Sequence, residues 1–188
     1  MAYTKTWDES QPDGSENANT IDTEIQDVKF SMRERLEDLF PRWSDDSEDP
    51  KTFDRARVKL SGNQSITTAT FTALSWGTED YDTNATGFWT GGAPTRLTIP
   101  AAGHYIIHGH VEFAFHATGE RMITTYVNGS IVSTVSRDAG SASYTGLEIT
   151  YINTFAANDY IEHFVYQSSG GNLLALANVS YATAIKLA

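Results

Sequence analysis

From Arg57 onward, the apolar residues of this chain recur at every second position, and no stretch there recurs with a helical period. A period of two sends successive side chains to opposite faces of an extended strand, so each segment presents one apolar face to be buried. The segments that fit are RVKL, QSITTATFTAL, RLTIP, GHYIIHGHVEFAFH, RMITTYV, SIVSTVS, SYTGLEITYINTF, DYIEHFVYQ, LLALA and VSYATAIKLA. Asn128-Gly129 between two of them is a type I′ hairpin signal, because both central residues of that turn need positive φ. Gly170-Gly171-Asn172 is a second turn. About eight to ten short strands without an intervening helix predict an all-β antiparallel sandwich or barrel.

The front of the chain differs. Residues 1–56 carry 15 Asp/Glu against 7 Lys/Arg, whereas residues 57–188 carry 9 against 6. The shift places a boundary near Arg57, between a charged appendage and a nearly neutral head over 57–188. Residues 1–19 are polar, with a turn at Gln11-Pro12-Asp13-Gly14-Ser15 and only Tyr3 and Trp7 as large apolar groups. They read as an extended arm, either a loose chain end or a segment that orders when Tyr3 and Trp7 dock on a partner.

Residues 20–40 carry the one helical stripe. Thr20 or Asn19 can cap its first turn, Asp22 and Glu24 suit the positive end of its dipole, and Pro41 ends it. Ile21, Ile25, Val28, Met32, Leu36 and Leu39 recur at a mean spacing of 3.6 residues, a continuous apolar face on a short α-helix. A helix of this length is marginal in water alone. The stripe can pack on the chain's own β-domain or on copies of itself. The acidic, proline-bounded spacer 41–56 favours self-association, and hence a trimerising helix.

Two segments carry a resemblance. TRLTIPAAGHYIIHGHVEF (95–113) holds a strand, a proline turn and Gly103-x-Tyr105; TFAANDYIEHFVYQSSGGNLLALANVSYATAIKLA (154–188) holds the turn Ala157-Asn158-Asp159 and a closing strand led by Tyr181. In order and spacing they resemble the C1q/TNF-like trimeric jelly roll, over about two-thirds of the chain. Asn158 stands where that family has Gly, and Ala182 departs from its closing motif. The resemblance implies an antiparallel jelly-roll sandwich and a homotrimer. In front of it, Trp7, Pro12 to Ser15, Ile21-Asp22, Ile25 and Arg33 to Leu36 resemble, in order, the attachment segments of bacteriophage tail, head and fibre proteins. That likeness implies an arm joined to another virion protein.

Catalytic chemistry is hard to find. There are no cysteines, no Gly-x-Ser-x-Gly elbow, no phosphate loop and no His-Glu-x-x-His. Glu112, Glu120, Asp138, Glu148 and Glu162 are scattered and read as surface carboxylates. His108 and His110 share one strand parity and are metal-ligand candidates, weighed against a polar outer face that uses histidine for hydrogen bonds. Tyr105, Ile107, Val111, Phe113 and Phe115 take the opposite, core-facing parity. The run Asp45 to Asp49 lacks the glycine of a calcium loop. Trp76, Tyr81, Phe88 and Trp89 form a candidate ligand-binding loop, weighed against burial at one end of the sandwich.

A net charge of −11 opposes a nucleic-acid partner. The N-terminus has neither the basic nor the apolar region of a secretory signal, and no apolar run reaches membrane-spanning length. The reading is therefore a non-enzymatic virion protein without a cofactor, made in a host cytoplasm and not secreted. It is a homotrimeric fibre or spike, with its arm on the particle and its head exposed to decorate it or touch a host-surface glycan or protein. The alternative is a free-standing soluble C1q/TNF-like ligand or carbohydrate-binding module.

Overall fold

The computed structural model describes residues 53–140 and 143–187, together with residues 25, 26, 28–32 and 35, which are helical. The chain divides into two units, Met1–Lys51 and Thr52–Ala188. Twelve strands are described: β1 (Arg55–Lys59), β2 (Gln64–Ile66), β3 (Thr72–Ala73), β4 (Thr78–Asp82), β5 (Arg96–Thr98), β6 (Gly103–Phe113), β7 (Glu120–Val127), β8 (Ser130–Asp138), β9 (Thr145–Phe155), β10 (Tyr160–Gln167), β11 (Leu173–Ala175) and β12 (Tyr181–Lys186). They form an antiparallel jelly-roll sandwich. The seven-stranded sheet runs β2-β11-β6-β12-β1-β4, with β9 also on β6; the five-stranded sheet runs β3-β10-β7-β8, with β5 also on β10.

The expected alternation is realised. Tyr105, Ile107, Val111 and Phe113 of β6 meet Ile123 of β7 and Ile161 and Val165 of β10 in one core, each at most 1% exposed. Tyr105, from the Gly-x-Tyr motif, donates its hydroxyl proton to the Ala101 carbonyl at 2.7 Å and meets the rings of Phe88 and Phe155 edge-on. The hydroxyl is thereby satisfied where it could not reach bulk water.

The turns follow their chemistry. Asn128 and Gly129 have φ of 50° and 78° and join β7 to β8. Asn158 has φ of 71°, the left-handed conformation that glycine takes without strain and asparagine tolerates. The two turns are tied together. Asn128 Nδ2 donates to Asp159 Oδ1 at 2.8 Å, the Tyr160 amide donates to Asn128 Oδ1 at 2.9 Å, and the Ala156 amide donates to Asp159 Oδ2 at 2.7 Å.

Four sequence expectations need correction. QSITTATFTAL is two strands, β2 and β3, because Ala69 turns the chain at φ of 56° and its amide pairs with the Gln167 carbonyl. Strand β1 begins at Arg55, inside the segment read as spacer; Arg55 and Ala56 pair with Ile185 and Ala184. Strand β4, TEDYD, is a charged edge strand with no apolar alternation to announce it. Phe115 does not face the core: β6 ends at Phe113, and Phe115 is 50% exposed. Just past the end of β6 the Ala114 amide still donates to the Leu174 carbonyl of β11.

Candidate functional site

The outward face of the larger sheet gathers residues from four strands, in register. Arg55, Ile185, Ile106 and Ile152 are successive cross-strand partners on β1, β12, β6 and β9. Arg57, Thr183, His108 and Thr150 form the next row on that face, and Lys59, Tyr181, His110 and Glu148 the one after. Ile106 points outward because its neighbours Tyr105 and Ile107 are buried. Ile152 is 61% exposed. Ile106 and Ile185 beside it are half-buried, so the row keeps apolar area in water although burying one such side chain fully contributes roughly 1.5–3 kcal/mol.

Beside this row lies a polar and aromatic cluster. The Tyr181 ring stacks on His110, with centroids 5.3 Å apart, and tilts against His108 at 5.7 Å. The Arg57 guanidinium carbon sits 4.1 Å from the Tyr181 ring centroid, a cation–π contact. Asp80 of β4 holds the cationic side in place: its carboxylate pairs with Lys59, and Arg57 Nε lies 3.4 Å away in an ion pair rather than an aligned hydrogen bond.

The two candidate histidines are occupied locally. His110 Nδ1 donates to the Val179 carbonyl at 2.8 Å, so its Nε2 carries the lone pair when the ring is neutral. His108 Nδ1 pairs with Thr150 Oγ1 at 3.0 Å. Burial holds the His108 pKa below the ordinary histidine value; Glu148 pulls it upward, while His110 and Arg57 push it further down. Among the described residues, no three His, Cys, Asp or Glu side chains converge as metal ligands would.

The aromatic loop divides. Trp76 and Phe88 are 2% and 1% exposed and belong to the core, where Trp76 meets His163 edge-on and Phe88 meets Tyr105. That removes both from any ligand-binding surface. They close one end of the sandwich, because rings of this size gain most by burial. Trp89 packs against the core and donates its indole N–H to the Pro94 carbonyl at 3.2 Å. Tyr81 remains exposed at 38%, beneath the Arg55 guanidinium.

Of the helical stripe, Ile25, Val28 and Met32 are helical, and each is more than 40% exposed. Ile21, Leu36 and Leu39, and the arm residues Tyr3 and Trp7, lie outside the described residues. The isoleucine row went unread in the sequence. Its signal was Ile106, an apolar residue on the histidine parity of β6, but its partners on β9 and β12 were set only by pairing.

Known structures share this fold. The chain superposes on an Eiger TNF from S. frugiperda (TM-score 0.54, 13% identity, 73% of this chain and 94% of that one). It also superposes on murine APRIL (0.53, 12%, 72% and 100%) and on the globular domain of zebrafish complement 1qA (0.52, 10%, 72% and 98%). The fold is thus a jelly roll of the C1q/TNF type. No family model matches the chain. An uncharacterized protein of Acanthamoeba polyphaga mimivirus is 28% identical over 123 residues, which cover 62% of this chain and 52% of that protein. The chain therefore spans about half the length of that viral relative.

Proposed function

We propose that the chain is a non-enzymatic virion structural protein, a homotrimeric fibre or spike of a bacteriophage. The observation that carries this reading is the isoleucine row Ile185–Ile106–Ile152, an apolar outward strip that a single chain covers only in part, with Ile106 and Ile185 half-buried and Ile152 61% exposed. Self-association buries it. The exposed Ile25, Val28 and Met32 ask for the same solution on the helix. A trimer is what the C1q/TNF-like resemblance implies, and a cyclic arrangement buries the face without leaving an open end. In this reading Tyr3 and Trp7 belong to the particle-attached arm, the acidic segment ahead of β1 to a spacer, and the jelly roll to the exposed tip. The viral relative and the phage-like order of the front segments support a place on a virion.

Light scattering on the full-length protein tests the assembly. We expect a mass near three times 20.7 kDa. Ile106→Asp combined with Ile152→Asp places two carboxylates in the buried face and should release protomers that keep their strand content. A wild-type monomer in solution would remove the trimer and favour the solitary ligand or carbohydrate-binding module. Immunogold labelling of intact particles tests virion location independently; a protein found only free in the lysate would sink it.

A further inference from the structure

The larger sheet's face ends at β9, and beyond it lies β8, the edge strand of the smaller sheet. Between them runs a groove of about 430 Å³, lined from both sides. That volume falls in the range of small-molecule sites, roughly 300–1,000 Å³. Its chemistry is asymmetric. Arg137 comes from β8, and Glu148 comes from β9 beside His110. Among the described residues, neither Arg137 nor Glu148 has an ion pair or a hydrogen-bonded side-chain partner. A cation and a carboxylate that line one groove without meeting are each free to bind a third group.

We propose that this groove binds an acidic sugar, of the uronate type. Arg137 offers a planar fork of donors, which matches a carboxylate. Glu148 can only accept, and the lone pair of His110 Nε2 is left free by the bond from Nδ1 to Val179. Two acceptors facing one cation suit a ligand that carries hydroxyl donors beside its carboxylate. Val135, 36% exposed, supplies apolar surface against which a ring rests. Gly146 leaves room: a Cβ there would lie in ordinary contact, 3.5 Å from His110 Nε2. The site stands four residues along β6 from the isoleucine row, about 13 Å at the rise of a strand. It rests on the proposed fibre only for the biological source of the sugar.

Calorimetric titration of the full-length protein with a glucuronate-containing tetrasaccharide, and with a neutral glucose tetrasaccharide, tests the assignment. The acidic sugar should bind, more weakly as salt rises, and the neutral one should not. Arg137→Gln should weaken binding about tenfold or more. Gly146→Val should do the same by filling the groove, with every charge retained and no forbidden backbone angle imposed. Light scattering and a thermal melt on both variants separate loss of the site from loss of assembly or fold. Equal binding of the neutral sugar, full affinity in Arg137→Gln, or no binding of the acidic sugar would overturn the proposal. Glutarate binding as tightly as the tetrasaccharide would overturn the sugar assignment. A monomeric protein that still binds the acidic sugar would cost the trimer, not this site.

Discussion

The imidazole of His163 fills the space that a side chain at residue 109 would need: a Cβ built on Gly109 would lie 2.8 Å from His163 Cε1. His163 is fully buried on β10, and Gly109 is its counterpart on β6, with Ala182 as the neighbour of Gly109 on β12. Two small residues on one sheet make the pocket for one large polar ring on the other.

Gly109→Ala should therefore overpack the core. Neither ring nor strand can retreat far between two sheets, so we expect a loss of about 1–3 kcal/mol in urea unfolding. An unchanged midpoint would mean that the sheets separate freely at this point.

His163 should also make stability depend on pH. Burial lowers its pKa from 6.5 to about 4, with His108 adding a smaller push in the same direction. Among the described residues its Nε2 has no hydrogen-bond partner, and Nδ1 meets Thr125 Oγ1 at 3.2 Å. The unfolded chain binds a proton below pH 6.5 that the folded chain refuses until about pH 4. Stability is thus fully present above pH 6.5 and is lost progressively as pH falls to 4, by an amount on the order of 3 kcal/mol. Below pH 4 this contribution is flat. Denaturation midpoints at pH 7.5, 5.5 and 4 measure it, and His163→Phe should flatten the slope in that window.

Asp159→Ala removes the acceptor shared by the Ala156 amide and the Asn128 side chain. The two turns it joins lose their tie, at about 1–3 kcal/mol. Asn158→Gly should be tolerated, whereas Asn158→Val should destabilise, because a β-branched residue resists positive φ. Thermal melts of the three variants give the order.

Arg121 is wholly buried among the described residues, with no carboxylate partner. It donates to the carbonyls of Thr118, Glu120 and His116 at 3.2, 3.0 and 3.2 Å. It thereby clamps the loop between β6 and β7. Arg121→Met keeps the stem and loses the clamp. Limited proteolysis should then cut first within residues 114–119, with the strands still folded. A digestion pattern equal to wild type would mean that the loop is held by other contacts, such as the Gly119 carbonyl to the Ala139 amide.

What could be read from the sequence was local. The alternation through β6, the Asn128-Gly129 hairpin, Asn158 at a positive φ and the buried Tyr105 all depend on a few neighbouring residues. Period two and turn sterics act within that range, so these features and an antiparallel sandwich or barrel were legible without coordinates, and the resemblance to the C1q/TNF-like family narrowed that to a jelly roll. Strand β4 was missed because a charged edge strand buries no alternating face. Phe115 was misplaced because parity says nothing about where a strand stops.

The candidate site depended on longer-range information. Ile106, Ile152 and Ile185 are far apart in the chain and become one row only through the registers of β6 with β9 and β12. Arg137 and Glu148 face one groove because the edges of two different sheets come together there. Trp76 and Phe88 stood between a ligand-binding loop and burial in the sequence, with burial favoured, and the closing of the sandwich buried them. The sequence alone determined which residues alternate and where the chain turns, because those follow from covalent geometry and the nearest side chains. Only the tertiary structure decided which faces meet water, because register and sheet packing are settled by contacts between residues that no local pattern connects.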